Sequence, residues 1–140
     1  MNIKSEQEML NFGRNFAEQI AKSQQDSPHS IVIELIGDVG TGKTTFTCGL
    51  AEGLGVKESV TSPSFTISKS YPLPESGNLI HYDFYRLSDP GLMLDDLAEN
   101  LKNPQNIIVV EWGESIANIL PPDRIKINIK YHDQGREITL

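Results

Sequence analysis

The run Gly37-Asp38-Val39-Gly40-Thr41-Gly42-Lys43-Thr44 reads as glycine, four residues, then Gly-Lys-Thr. The chemistry of that spacing is the gripping of a phosphate chain. Glycines leave backbone N–H groups open to an anion, and a helix that follows aims its positive end at the same charge. Lys43 is spaced to reach the terminal phosphates, and Thr44 to offer a hydroxyl to Mg²⁺. Gly37, Asp38, Val39, Gly40, Thr41, Gly42 and Thr45 complete the expected nucleotide-binding run. Such a loop hydrolyses nothing by itself; it needs one carboxylate in the metal shell and a group to orient water. Glu111 closes the apolar run Ile107 to Val110 and Asp83 the less apolar Leu79-Ile80-His81-Tyr82, and at the carboxyl edge of a parallel sheet both would emerge beside the loop. One is expected to hold metal, through water or directly, and the other to hold metal or orient water. The residues leave that order open. No Asn-Lys-x-Asp occurs, which argues against a guanine-specific switch, and no arginine-rich lid of a small-molecule kinase is evident.

Positioning these groups requires a strand before the loop and a helix after it. Ile31-Val32-Ile33-Glu34-Leu35-Ile36 is apolar and β-branched, a buried strand, and residues 43–54 read as the helix. An earlier helix is expected after Ser5-Glu6-Gln7-Glu8, which has capping-box spacing, with Met9, Phe12, Phe16 and Ile20 on one face. Strands are expected around Phe65 to Tyr71, Leu79 to Tyr85 and Ile107 to Glu111. A helix should start at Asp89-Pro90, and a short one span 115–120 before Pro121-Pro122. Ile125, Ile127, Ile129 and Tyr131 alternate with polar residues ahead of Asp133-Gln134-Gly135, which predicts a terminal hairpin. Strands interleaved with helices give an α/β fold: one domain over 1–140, three-layer, with a mainly parallel sheet and a C-terminal antiparallel hairpin.

The 140 residues suit one core, and the single cysteine, Cys48, cannot form an internal disulfide. Twelve Lys and Arg against 19 Asp and Glu leave a net charge of −7. That balance argues against gripping nucleic acid or a membrane by broad electrostatics. With no long apolar run and no leader-like start, the expectation is a soluble, cytoplasmic protein.

Gly37 to Thr45, Ser62-Pro63-Ser64-Phe65-Thr66, His81-Tyr82-Asp83-Phe84-Tyr85-Arg86-Leu87 and Val110-Glu111-Trp112 together resemble the TsaE (YjeE) family. That family is the bacterial ATPase of the threonylcarbamoyladenosine tRNA-modification system. The resemblance covers nearly the whole chain. It implies a P-loop ATPase using ATP and Mg²⁺ and working with TsaB and TsaD. Those partners modify tRNAs that read codons beginning with A, so tRNA is met only indirectly. Position by position it implies that Lys43 and Thr44 serve phosphate and magnesium. Asp83 is implied to be the acid of the His-x-Asp-x-Tyr-Arg motif, and Glu111 a second acid for metal binding and hydrolysis. Ser64 stands where the family usually has Thr, in a switch-like loop near the γ-phosphate, and its hydroxyl keeps a metal contact available. Thr41 replaces the usual Ala, where its backbone N–H is expected to matter more than its side chain.

Other residues are open to a bland reading beside a sharper one. Trp112, the sole tryptophan, suits a cover over the nucleotide, a partner contact or a core aromatic. Arg86 suits a phosphate-stabilising finger or a local ion pair, and His81 packing or hydrogen-bonding within its strand. Met9 and Arg136 are candidates to wall the adenine, because a loop-only site leaves the base without sides. Asp89, Asp95, Asp96 and Glu99 read as a solvated helix face. The functional alternatives are a non-hydrolysing, nucleotide-dependent binding module and a small-molecule kinase.

Overall fold

The computed structural model describes residues 1–24, 27–61, 68–85 and 91–140. They form β1 (Asn2–Ile3), α1 (Glu6–Gln24), β2 (Ile31–Ile36), α2 (Lys43–Gly53), β3 (Ser68–Pro72), β4 (Asn78–Asp83), α3 (Gly91–Leu101), β5 (Ile107–Glu111), a 3-10 turn (Gly113–Ile116), β6 (Ile125–His132) and β7 (Gly135–Thr139). The strands make one sheet in the order β1-β7-β6-β2-β5-β4-β3. Its middle, β6-β2-β5-β4, is parallel, while β3 on one side and β7 and β1 on the other are antiparallel. The expected parallel sheet and terminal hairpin are both present.

Alternation along the strands sorts side chains onto two faces. Ile33, Leu35, Leu79, Val109, Ile127 and Ile129 pack beneath Phe16 and Ile20 of α1 and Phe46 and Leu50 of α2. Val32, Ile80, Tyr82, Ile108 and Val110 pack beneath Leu97 of α3 and Ile116 and Leu120. The three layers follow directly. No described helix is long and apolar enough to cross a membrane.

The two helices on the first face touch backbone to backbone. A Cβ added at Gly13 would lie 2.5 Å from the Phe46 carbonyl oxygen, and one at Gly49 would lie 2.3 Å from that of Leu10. Rings of Phe12, Phe16 and Phe46 interlock beside this crossing, with centroids 5.6 to 5.9 Å apart. The start of α1 is fixed by Ser5, whose Oγ accepts the Glu8 N–H at 3.1 Å, as the capping pattern predicts.

Three local expectations are corrected. The helix expected over 115–120 is a 3-10 turn at Gly113–Ile116, squeezed between a left-handed Trp112 (φ 57°) and the prolines at 121 and 122. The segment 72–78, read as turn, supplies the ends of a second antiparallel edge, with Pro72 opposite Asn78. Pro is tolerated there because an edge strand can spare the N–H. Strand β1 was not anticipated, since two residues carry no period. Ser62 to Ile67 and Arg86 to Pro90, with the helix start read at Asp89-Pro90, lie outside the described residues.

Candidate functional site

The central strand β2 delivers the chain into the loop at residues 37–42, and α2 leaves from it. Gly40 and Gly42 sit at φ 83° and 108°, conformations that L side chains rarely adopt. Gly42 caps α2, with the Phe46 N–H donating to its carbonyl at 2.9 Å. Thr41 is buried. Its N–H donates to the Asp38 carbonyl at 3.3 Å, and its hydroxyl donates to the same oxygen at 2.9 Å. The side chain therefore helps to fasten the turn of the loop.

On one side of the loop stand the acids. Strands β4 and β5 run in parallel register with Asp83 opposite Glu111, and both side chains point to the α1–α2 face. Glu111 is 4% exposed, a burial that a carboxylate sustains only when paired. One oxygen meets Nε2 of the fully buried His81, and the other lies 3.8 Å from Lys43 Nζ. Lys43 is itself buried, donating to the Gly37 carbonyl and lying 4.3 Å over the Trp112 ring. Asp83 is only half-buried, and one of its oxygens accepts the Tyr85 N–H at 2.9 Å. Burial pushes its carboxyl above the usual carboxylate range and Glu111 adds to the rise; the Tyr85 N–H, His81 and Lys43 pull it back. Trp112 and Tyr85 pack with centroids 4.8 Å apart and ring planes tilted by 35°. Lys43, Thr44, Asp83, Tyr85, Glu111 and Trp112 line a cavity of 390 Å³ here.

On the other side stand the two ends of the chain. A cavity of 430 Å³ is lined by Lys4, Glu6 and Met9, by Thr45 next to the loop, and by Gln134 and Arg136. Met9 closes on the loop, its Cε 3.1 Å from where a Gly42 Cβ would stand. Arg136 donates to the carbonyls of Thr41 (3.2 Å) and Gly40 (3.4 Å) and lies 4.3 Å over the Tyr131 ring. Tyr131 in turn donates its hydroxyl to the Val39 carbonyl at 3.1 Å. The β6–β7 hairpin thus takes up three loop carbonyls, the partial charges that would repel an anion.

The sequence-predicted residues accordingly fall into two groups around one loop. Lys43, Thr44, Asp83, Glu111 and Trp112 meet in the first cavity, and Met9, Thr45 and Arg136 in the second. Ser64 and Arg86 lie outside the described residues. Cys48 is half-buried, its Sγ 3.3 Å from the Val60 carbonyl. Asp95, Asp96 and Glu99 are exposed as read, although Asp96 also accepts the Tyr82 hydroxyl at 2.6 Å. Sequence reasoning undervalued His81, which bonds across to β5 instead of within its own strand. The spacing held the signal: residues 81 and 83 share a strand face. Tyr131 and Tyr85 had no signal of their own, because only the tertiary fold brings them to the loop.

Residues 3–138 match the family model for the threonylcarbamoyl adenosine biosynthesis protein TsaE. The tRNA threonylcarbamoyladenosine biosynthesis protein TsaE of Haemophilus influenzae is 38% identical over 139 residues, covering 99% of this chain and 85% of that protein. Its Bacillus subtilis namesake is 45% identical over 113 residues, 77% of this chain and 67% of the relative. Among solved structures, the crystal structure of Bacillus subtilis YdiB superposes with a TM-score of 0.59 at 38% identity. That match covers 89% of this chain and 77% of YdiB.

Proposed function

This chain belongs to the TsaE family, which serves tRNA threonylcarbamoyladenosine biosynthesis, and from that premise we propose that it is the pathway's ATPase subunit. It binds ATP through residues 37–45, hydrolyses it slowly alone, and turns over in step with TsaB and TsaD, which carry out the transfer. The tRNAs served read codons beginning with A, and the setting is the cytoplasm. A net charge of −7 supports a subunit that meets tRNA only through those partners.

The observation that carries this reading is the meeting of Lys43 with two register-paired acids at the mouth of a glycine loop. Lys43 reaches the β- and γ-phosphates once it leaves the Gly37 carbonyl, a change of acceptor within one side chain's reach. Among the described residues no three His, Cys, Asp or Glu side chains converge to hold a metal unaided. The donor set fits Mg²⁺, which favours one or two protein oxygens plus phosphates and water. Thr44 and Glu111 would hold it, and bound there it would neutralise charge on the phosphates. Asp83 is the better water-orienting base: it lines the cavity and burial raises its proton affinity. Met9 and Arg136 wall the adenine.

The test is phosphate release from ATP by the chain alone, then with TsaB, TsaD and tRNA. A slow basal rate that rises with the partners supports the proposal. Nucleotide binding without turnover in every combination would leave a binding module, and phosphate appearing on an acceptor would make it a kinase.

A further inference from the structure

His81 has no exposed surface, and among the described residues its Nδ1 has no hydrogen-bond partner. Its Nε2 meets Glu111 Oε2. A hydrogen on Nδ1 would bury an unpaired donor and set the Nε2 lone pair against a carboxylate oxygen, two losses at once. The hydrogen therefore resides on Nε2, and His81 is the donor. That bond occupies Oε2 and leaves Oε1 as the oxygen on the Lys43 side, where the cavity opens.

We propose that His81 is a positioning residue that restricts Glu111 to one-oxygen metal coordination and so selects Mg²⁺ over Ca²⁺ at the nucleotide site. The proposal rests on Glu111 being the metal-holding acid of the preceding section. Mg²⁺ takes compact octahedral shells at 2.0–2.1 Å and rarely accepts both oxygens of one carboxylate, whereas Ca²⁺ readily binds bidentate at 2.3–2.6 Å. A hydrogen bond from a buried imidazole to one oxygen fixes the plane of the carboxylate, and turning both oxygens toward a metal would strain or break that bond. Partners of this kind behind metal ligands typically govern affinity by about tenfold to a hundredfold.

The experiment is calorimetric titration of ADP into the full chain in EDTA, in Mg²⁺ and in Ca²⁺. It compares wild type, His81→Phe, His81→Gln and Glu111→Gln, with thermal melting of each. His81→Phe fills the volume without a donor, and His81→Gln restores an N–H. The expected result is that His81→Phe keeps its metal-free ADP affinity and loses about tenfold or more of the Mg²⁺-dependent gain. Its Ca²⁺-dependent gain should hold or rise, and His81→Gln should recover most of the Mg²⁺ preference. An unchanged Mg²⁺-to-Ca²⁺ ratio in a folded His81→Phe protein overturns the proposal, as does His81→Gln behaving like Phe. Should His81→Phe not fold, imidazole ¹⁵N spectra of the wild type, which has three histidines, decide the matter: an Nδ1–H signal from the buried ring overturns it. The underlying site reading fails differently, through a wild-type ADP affinity indifferent to Mg²⁺ and to Glu111→Gln.

Discussion

Two cavities of nearly equal volume, 390 and 430 Å³, flank one loop, yet they are built on opposite plans. The first is assembled from adjacent parallel strands in the middle of the sheet, with Lys43, Glu111 and the imidazole of His81 buried against one another and Asp83 half-buried beside them. The second is assembled from α1 and the β6–β7 hairpin, with charges near the surface and contacts to backbone carbonyls. Buried, mutually paired charge is preorganised, which is where chemistry gains most from a low dielectric. Half-exposed side chains that grip a loop supply affinity and placement. The contrast teaches that rate and affinity should separate on mutation, by side.

Lys43→Ala should produce the largest effect. It removes the ammonium proposed to reach the phosphates and strips Glu111 of a cation 3.8 Å away, so affinity for ATP measured by calorimetry should fall about a hundredfold or more. Asp83→Asn sharpens the comparison further. Turnover should drop by roughly 10² to 10³, while ADP affinity stays within about threefold. The same variant has a stability signature. Because the folded-state proton affinity of Asp83 is raised, the native chain binds more proton than the unfolded one between the ordinary value of 3.8 and the raised one. Stability contributed by that group therefore falls as pH rises through the window. Asn removes the penalty, so its melting temperature should lie slightly above wild type at neutral pH, and the advantage should vanish below about pH 4.

On the other side, Arg136→Ala should weaken nucleotide affinity about tenfold and leave the rate at saturation near wild type. A reversed outcome, with rate lost and affinity kept, would break the division between the two cavities. The smallest effect is expected for Tyr131→Phe. Its hydroxyl bond to the Val39 carbonyl is exposed, so its loss should cost at most about 1 kcal/mol in denaturant titration and less than twofold in affinity.

The same division explains what could be read in advance. Residues 37–45 announced themselves because their chemistry demands fixed spacing along the chain, and Asp83 and Glu111 because apolar runs end on them. The central parallel strands were legible for the same reason, being continuous and β-branched. Strand β1 was not, since its pairing is decided by a distant partner, Glu137 for Asn2; strands near β3 and β4 were read, but not their pairing across the turn from Pro72 to Asn78. His81 shows an intermediate case. Its face was readable from the period of two, but its partner 30 residues on required the register of β4 on β5. Tyr131 over Arg136 needed the whole hairpin folded back on the loop.

The pairing of Ile3 with Arg136 also has a kinetic meaning. The cavity beside α1 joins residues near position 3 to residues near 136, so closing it requires contacts very far apart along the chain. Loop closure costs only logarithmically more with length, on the order of 0.6 kcal/mol per doubling, but such distant contacts are rewarded late in folding. During synthesis, β2, the loop and α2 emerge well before β6 and β7. Under the proposed ATP-binding role, a nascent chain would thus carry the glycine loop before the second cavity had closed, and full nucleotide retention would coincide with the docking of the last strand. Refolding followed by nucleotide capture should then trail the return of helical signal.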